Sequence, residues 1–192
     1  MIAKARLKSA SPYSQSKVVE SPKKQKETHD AHEARTWQER LSVNEDGYVI
    51  IPAMAFKFCL EDACQRLGLQ VPGKGKATYT KHFKSDLLVL EPAVLGVKAA
   101  DVPGEWFFVP SNGERGGGKR VKKCFPKIES WETTVEFHLL SESITEEVFK
   151  QVLIEAGRSI GLGRFRPQNS GFYGRFTVES LEFIHDEASV AA

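Results

Sequence analysis

The chain has 192 residues, 27 Lys+Arg against 25 Asp+Glu and 41% apolar residues, long enough for one domain with a hydrophobic core. Twelve Phe and that apolar fraction exclude a disordered polyelectrolyte, and no run approaches the roughly 18 to 20 apolar residues that a membrane helix needs. The opening Met1-Ile2-Ala3-Lys4-Ala5-Arg6-Leu7-Lys8 interleaves charge with apolar residues and lacks the apolar stretch of a secretory signal, so the sequence reads as intracellular and cytoplasmic.

In chain order, residues 2–10 alternate well enough for a short opening strand, which Ser9–Ser14 breaks. From about 14 to 36 the sequence is polar, with Pro22 and no Ile, Leu or Phe, and is expected to be a mobile excursion, an arm able to reach a neighbour. Trp37, Leu41 and Val43 resume apolar spacing, and Asn44-Glu45-Asp46-Gly47 makes a turn into the buried strand Tyr48–Ile51, a hairpin candidate. Ala53 to Leu67 is the strongest helix of the first half, with Met54, Phe56 or Phe58, Leu60, Ala63, Cys64 and Leu67 on its apolar stripe and Gly68 as C-cap. Val71 to Lys84 has no clear period. Leu87–Leu90, Ala93–Val97 and Trp106–Pro110 read as strands, and Gly116-Gly117-Gly118 places a projecting loop between two strands. Trp131–Leu139 alternates cleanly as a strand, Thr145 caps a helix running to about Ala156, and Phe176–Ile184 is the closing strand. Residues 185–192 read as a loose tail. With the excursions removed, the order approaches a split βαβ–βαβ plan, an α+β domain over residues 1–184.

Three cysteines, Cys59, Cys64 and Cys124, cannot all pair within one chain and form no Cys-x-x-Cys, which favours reduced packing thiols over metal or redox chemistry.

Charge is unevenly placed. The windows 72–84, 111–127 and 158–176 hold fourteen basic residues and one acid, Glu114, a net +13 on 49 residues, while the other 143 carry −11. Solvated loops attract lysine in any protein; the functional reading is that cations beside glycine suit a phosphate backbone, which glycine lets approach the main-chain N–H groups. The segment 157–176 adds five glycines, four arginines and four aromatic residues. It lacks the Gly-Lys-Ser/Thr of a phosphate loop, and it follows a helix and precedes a strand, the reverse of a dinucleotide fingerprint. Two readings remain: arginines for phosphates with rings for stacked bases, or glycines that permit a tight reversal with rings that fill core.

Gly161-Leu162-Gly163, a polar spacer and Gly171-Phe172-Tyr173-Gly174 before the last strand resemble the C-terminal glycine-rich loop of the RAMP superfamily of CRISPR-associated RNA-binding proteins. Ile51-Pro52-Ala53-Met54-Ala55-Phe56-Lys57 is similar to the strand-to-helix passage of the crRNA-binding backbone subunits in that superfamily. The resemblance implies a ferredoxin-like or RRM-like antiparallel sheet with two main helices, a projecting basic β-hairpin thumb carrying Lys119, Arg120, Lys122 and Lys123, and side-by-side assembly on a strand. A phage or mobile-element relative fits the same motifs.

The expected function is binding of single-stranded nucleic acid, RNA before DNA, with weak base specificity, as a homo-oligomer or a subunit of a ribonucleoprotein, with no membrane partner. The expected contacts are Lys74, Lys76, Lys81, Lys84, Arg115, Lys119, Arg120, Lys122, Lys123, Arg158, Arg164, Phe165, Arg166, Phe172, Tyr173 and Arg175. No catalysis, cofactor or metal is expected. The competing readings are a metal-independent ribonuclease using His82, which lies among Lys76, Tyr79, Lys81 and Lys84, and a structural subunit of a phage or effector assembly. His29-Asp30-Ala31-His32-Glu33 has metal-ligand residue types, yet without a fourth ligand it reads as a solvated polar arm.

Overall fold

Ala3, Ala5 and Leu7 alternate with Lys4, Arg6 and Lys8, and this two-residue period makes Ile2–Ser9 (β1) a strand with one buried face. In the computed structural model, which describes residues 1–111, 116 and 118–185, β1 lies inside a four-stranded antiparallel sheet. The elements that follow are α1 (His29–Thr36), β2 (Tyr48–Ile51), α2 (Ala53–Leu67), α3 (Thr80–Asp86), β3 (Leu87–Leu88), β4 (Ala93–Lys98), β5 (Gly104–Pro110), β6 (Arg120–Pro126), β7 (Glu132–Leu139), α4 (Glu146–Glu155) and β8 (Phe176–Ile184).

The main sheet has the order β3-β7-β1-β8. With α2 and α4 between its strands, the core runs β1-α2-β3-β7-α4-β8, the split βαβ–βαβ plan of a ferredoxin-like α+β fold. Ala5 pairs with Val135 on β7 and Leu181 on β8, so the apolar positions of three strands share one face. The register shifts between Arg6 and Leu7, and Glu179 is the extra residue of a bulge in β8. Both main helices cover the apolar face through a chain of rings: Phe56 of α2 meets Phe137 at 6.2 Å, and Phe149 of α4 meets Phe137 at 5.3 Å and Phe183 at 6.2 Å. Thr145 Oγ1 accepts from the Val148 N–H to start α4, and Gly68, at φ 60°, ends α2 in the left-handed conformation that glycine adopts without strain.

Several expectations need correcting. The polar stretch 14–36 contains a capped helix, α1, and buries Gln15, Glu33 and Thr36, because its charged and polar groups find partners inside the fold. The first basic window contains α3, a short helix with Phe83 inward and Lys81 and Lys84 outward. Tyr48–Ile51 meets the preceding segment only at the Val43–Val49 bridge and pairs instead with β4. On α2 the buried stripe is Phe56, Cys59, Leu60, Ala63 and Cys64, leaving Met54 and Phe58 about half exposed. The helix ending near Ala156 continues as one wider turn to Ile160. Among the described residues no helix is long and apolar enough to cross a membrane. The tail residues 186–192 lie outside the described residues.

Candidate nucleic-acid interface

The β5–β6 hairpin carries the second basic window. Its register sets Trp106, Phe108 and Pro110 against Cys124, Lys122 and Arg120, so these six side chains share one face, and Phe107, Val109, Val121, Lys123 and Phe125 occupy the other. On the first face Phe108 is 68% and Trp106 42% exposed, and the Lys122 ammonium lies 4.8 Å from the Trp106 ring centroid. Lys119, Arg120 and Lys122 are exposed and form no ion pair among the described residues; Arg120 Nη1 reaches the Phe108 carbonyl at 3.4 Å. Arg115, expected in the same set, lies outside the described residues.

The root of the hairpin is fixed by charge. Glu33 of α1 and Arg40 form a buried pair in which Arg40 Nη2 donates to both carboxylate oxygens, at 2.8 and 3.0 Å. Glu33 Oε1 also accepts from the Cys124 N–H at 2.9 Å, and Arg40 Nε donates to the Cys124 carbonyl at 3.1 Å. One ion pair thus satisfies both main-chain polar groups of a strand-edge residue, which is what lets two charges stay buried. Lys123 Nζ lies 3.9 Å from the same carboxylate, so this expected contact residue is partly committed inside the protein.

The glycine-rich window packs onto the other hairpin face. Arg164 stacks between Phe125, 3.3 Å from its centroid, and Phe165 at 3.5 Å. Burial, with Arg40 nearby, lowers its guanidinium to about 10, and its Nη1 is a buried nitrogen with no hydrogen-bond partner. Arg166 pairs loosely with Asp62 of α2 at 3.8 Å, and Arg175 Nη1 donates to the Arg158 carbonyl. Tyr173 donates to Glu105 at 2.6 Å, and burial together with that carboxylate pushes its phenol up to about 12. Phe172, 64% exposed, Phe165, 38% exposed, and Arg158 are the exposed ones among the expected contacts of this window.

The glycines of the window serve the chain itself. An added Cβ would collide with the Phe165 carbonyl at Gly171, the Leu162 carbonyl at Gly174 and the Phe176 carbonyl at Gly157. Around Gly73, Gly75 and Gly116, by contrast, no atom lies within 4 Å of that position. Their neighbours Lys74 and Lys76 are exposed, as are Lys81 and Lys84 on α3. The second and third windows are therefore joined through Arg164 and the rings, whereas no hydrogen bond, ion pair or ring contact among the described residues ties the first window to them.

His82 Nδ1 lies 3.1 Å from Asp86 Oδ2, one helical turn away on α3. Asp86 is held below the usual carboxylate range by Ser85 first and His82 second. The three cysteines are buried and form no disulfide, and burial pushes Cys59 up to about 12 and Cys64 and Cys124 to about 11, the behaviour of packing thiols. Among the described residues no group of three or more His, Cys, Asp or Glu is placed to hold a metal ion.

Sequence reading passed over the exposed rings of Trp106 and Phe108, although their alternation opposite Arg120 and Lys122 signals a cationic, aromatic hairpin face. It also passed over a groove of about 640 Å³ between α1 and the hairpin, lined by His29, Asp30 and His32 on one wall and Phe108, Lys119 to Lys123 and Ser111 on the other.

No family model and no curated protein matches the chain. Among solved structures, a chain of the type III-B Cmr-beta complex bound to cognate target RNA aligns with TM-score 0.53 and 12% identity over 94% of this chain and 59% of its own length. Cmr6 from Pyrococcus furiosus aligns at TM-score 0.46 and 12% identity, covering 93% and 99% of the two chains, and a chain of a CRISPR RNA-guided surveillance complex at 0.40 and 10%, covering 89% and 65%. The chain spans little more than half the length of the first of these, and likeness at such identity concerns the fold alone. The ferredoxin-like α+β fold that the resemblance implied is the fold this chain has.

Proposed function

We propose that residues 1–184 act as one nucleic-acid-binding domain that holds single-stranded RNA, and DNA less well, by its phosphate backbone within a ribonucleoprotein assembly. The observation that carries the reading is the exposed face of the β5–β6 hairpin, where Arg120 and Lys122 stand beside the open rings of Trp106 and Phe108, with the exposed Lys119 next to them in the chain. Cations neutralise phosphates and flat rings accept bases of any identity, so this pairing favours strand binding with weak base selectivity. Lys74, Lys76, Lys81 and Lys84 supply a second cationic region, with Arg158 and Phe172 as the outward part of the third window. The fold shared with a chain of an RNA-bound CRISPR complex supports RNA before DNA and assembly with neighbouring subunits along the strand. No catalytic step belongs to this reading.

Fluorescence polarisation with a short labelled single strand at two salt concentrations tests it. Association that weakens with salt by roughly 0.7 log units per decade for each phosphate contact is expected, and no salt-sensitive association with RNA or DNA would end the proposal. Light scattering of the chain with and without RNA checks the assembly part, which a strict monomer on a long strand would contradict.

A second reading, a metal-independent ribonuclease, is favoured by one contact: Asp86 lies within hydrogen-bond reach of His82 Nδ1 and would orient the ring for proton transfer. It predicts EDTA-resistant cleavage of labelled RNA that His82→Ala abolishes; intact RNA after long incubation removes it.

A further inference from the structure

The groove between α1 and the hairpin has two chemically different walls. The hairpin wall is cationic, with Lys119, Arg120 and Lys122, and carries the exposed Phe108 ring. It also presents main-chain donors. Cys124 turns its N–H to Glu33 of α1 and its carbonyl to Arg40 in the turn that follows α1. By the two-residue alternation of an antiparallel strand, the N–H groups of Lys122 and Arg120 face the same edge, next to the groove. The α1 wall is lined by His29, Asp30, His32 and Glu33, with Asp30 and His29 exposed, His32 hydrogen-bonded to the Ser21 carbonyl at 2.8 Å and the Glu33 carboxylate already taken by Arg40 and the Cys124 N–H. A volume near 640 Å³ falls within the roughly 300–1,000 Å³ of ordinary ligand sites.

A surface that bound only phosphates would gain from cations on both walls, and a carboxylate facing them weakens attraction for any anion. The opposition has a use when the ligand carries hydrogen-bond donors as well as phosphate. We infer that this groove holds one nucleotide unit of a single-stranded RNA, its phosphate on Lys119, Arg120 and the β6 edge, its base on Phe108, and its ribose 2′-hydroxyl donating to Asp30. The inference rests on the strand-binding reading above and adds the discrimination of RNA from DNA, which the 2′-hydroxyl alone provides between strands of the same sequence. The buried Glu33–Arg40 pair keeps the two walls in register by tying α1 to the β6 edge.

The test uses a labelled oligouridine and its 2′-deoxy counterpart with the wild-type chain, Asp30→Ala and Asp30→Asn. The wild type should prefer the ribo strand by about fivefold, the discrimination one hydrogen bond gives. Asp30→Ala should bring the ratio to about one, partly by improving deoxy binding as a negative charge is removed, while Asp30→Asn, which keeps an acceptor oxygen, should retain part of the preference. Equal retention in the two variants would mean that charge alone matters and would overturn the inference, as would a ribo preference that persists in Asp30→Ala. Salt-sensitive but equal binding of both strands by the wild type would also overturn it while leaving the strand-binding reading intact, and no association with either strand would end both.

Discussion

The β5–β6 hairpin and the glycine-rich segment 157–176 are built from the same ingredients, basic side chains, glycine and aromatic rings, and deploy them in opposite directions. On the hairpin, Phe108 and Trp106 face solvent with Arg120 and Lys122 beside them. In the glycine-rich segment, Arg164 is sandwiched between rings, Tyr173 is tied to Glu105, and Gly157, Gly171 and Gly174 sit where only a hydrogen atom fits. Composition marks both as strand-binding surfaces; packing makes the second chiefly the base on which the first is mounted. The lesson is that an arginine contributes to an electrostatic surface only where its guanidinium reaches solvent.

The contrast can be broken at its strongest joints first. Replacing Glu33 by Ala leaves Arg40 buried without its carboxylate and frees the Cys124 N–H, so urea unfolding should show a loss of about 3–5 kcal/mol. A loss under about 1 kcal/mol would mean that the hairpin root is held otherwise. Gly171→Ala and Gly174→Ala should each destabilise by about 2–4 kcal/mol in the same measurement, since an added methyl meets backbone that cannot retreat. Gly75→Ala, at φ 63° with open space around it, should cost only the conformational penalty of about 1 kcal/mol. Equal effects at Gly75 and Gly171 would erase the distinction between an open and a packed glycine region.

Alkali gives a further expectation. Cys59, Cys64, Cys124, Tyr13 and Tyr173 are all held above their ordinary values by burial, so the unfolded chain gives up these protons at lower pH than the folded one. Their contribution is fully present below pH 9 and is lost as pH rises from there through about 11 to 12. The urea midpoint should therefore fall steadily above pH 9, and a midpoint that rises there would contradict the burial of these groups. The smallest effect is expected at Phe172: Phe172→Ala removes an exposed ring and should leave stability unchanged within about 0.5 kcal/mol while weakening strand binding a few-fold.

Elements whose apolar residues repeat at one period could be read directly: β1, β7 and β8 at two, α2 and α4 at the helical spacing. The stretch around α1 escaped because its burial is polar. Glu33 and Arg40 lie two helical turns apart and meet at a strand edge 84 residues beyond Arg40, a partnership that no periodicity announces. A local sign did exist, since Thr28 with Asp30 in the following turn is a helix start. The α3 helix escaped for lack of a stripe, having Phe83 as its one buried residue. The glycine-rich segment kept two readings open because a glycine needed for a turn and one needed for a ligand are written identically; only the atoms around its Cα tell them apart.

The central claim is that the hairpin face, rather than the packed Arg164 and Arg166 of the glycine-rich segment, carries the strand. It is tested by polarisation titrations of labelled RNA against salt with two charge-reversal pairs, Lys119→Glu with Arg120→Glu and Arg164→Glu with Arg166→Glu, each checked for folding by circular dichroism. The hairpin pair should remain folded, bind on the order of tenfold more weakly and lose roughly 1.4 from the log–log salt slope, whereas the segment pair should chiefly lower the melting temperature. A hairpin pair that binds with the wild-type affinity and slope would contradict the account.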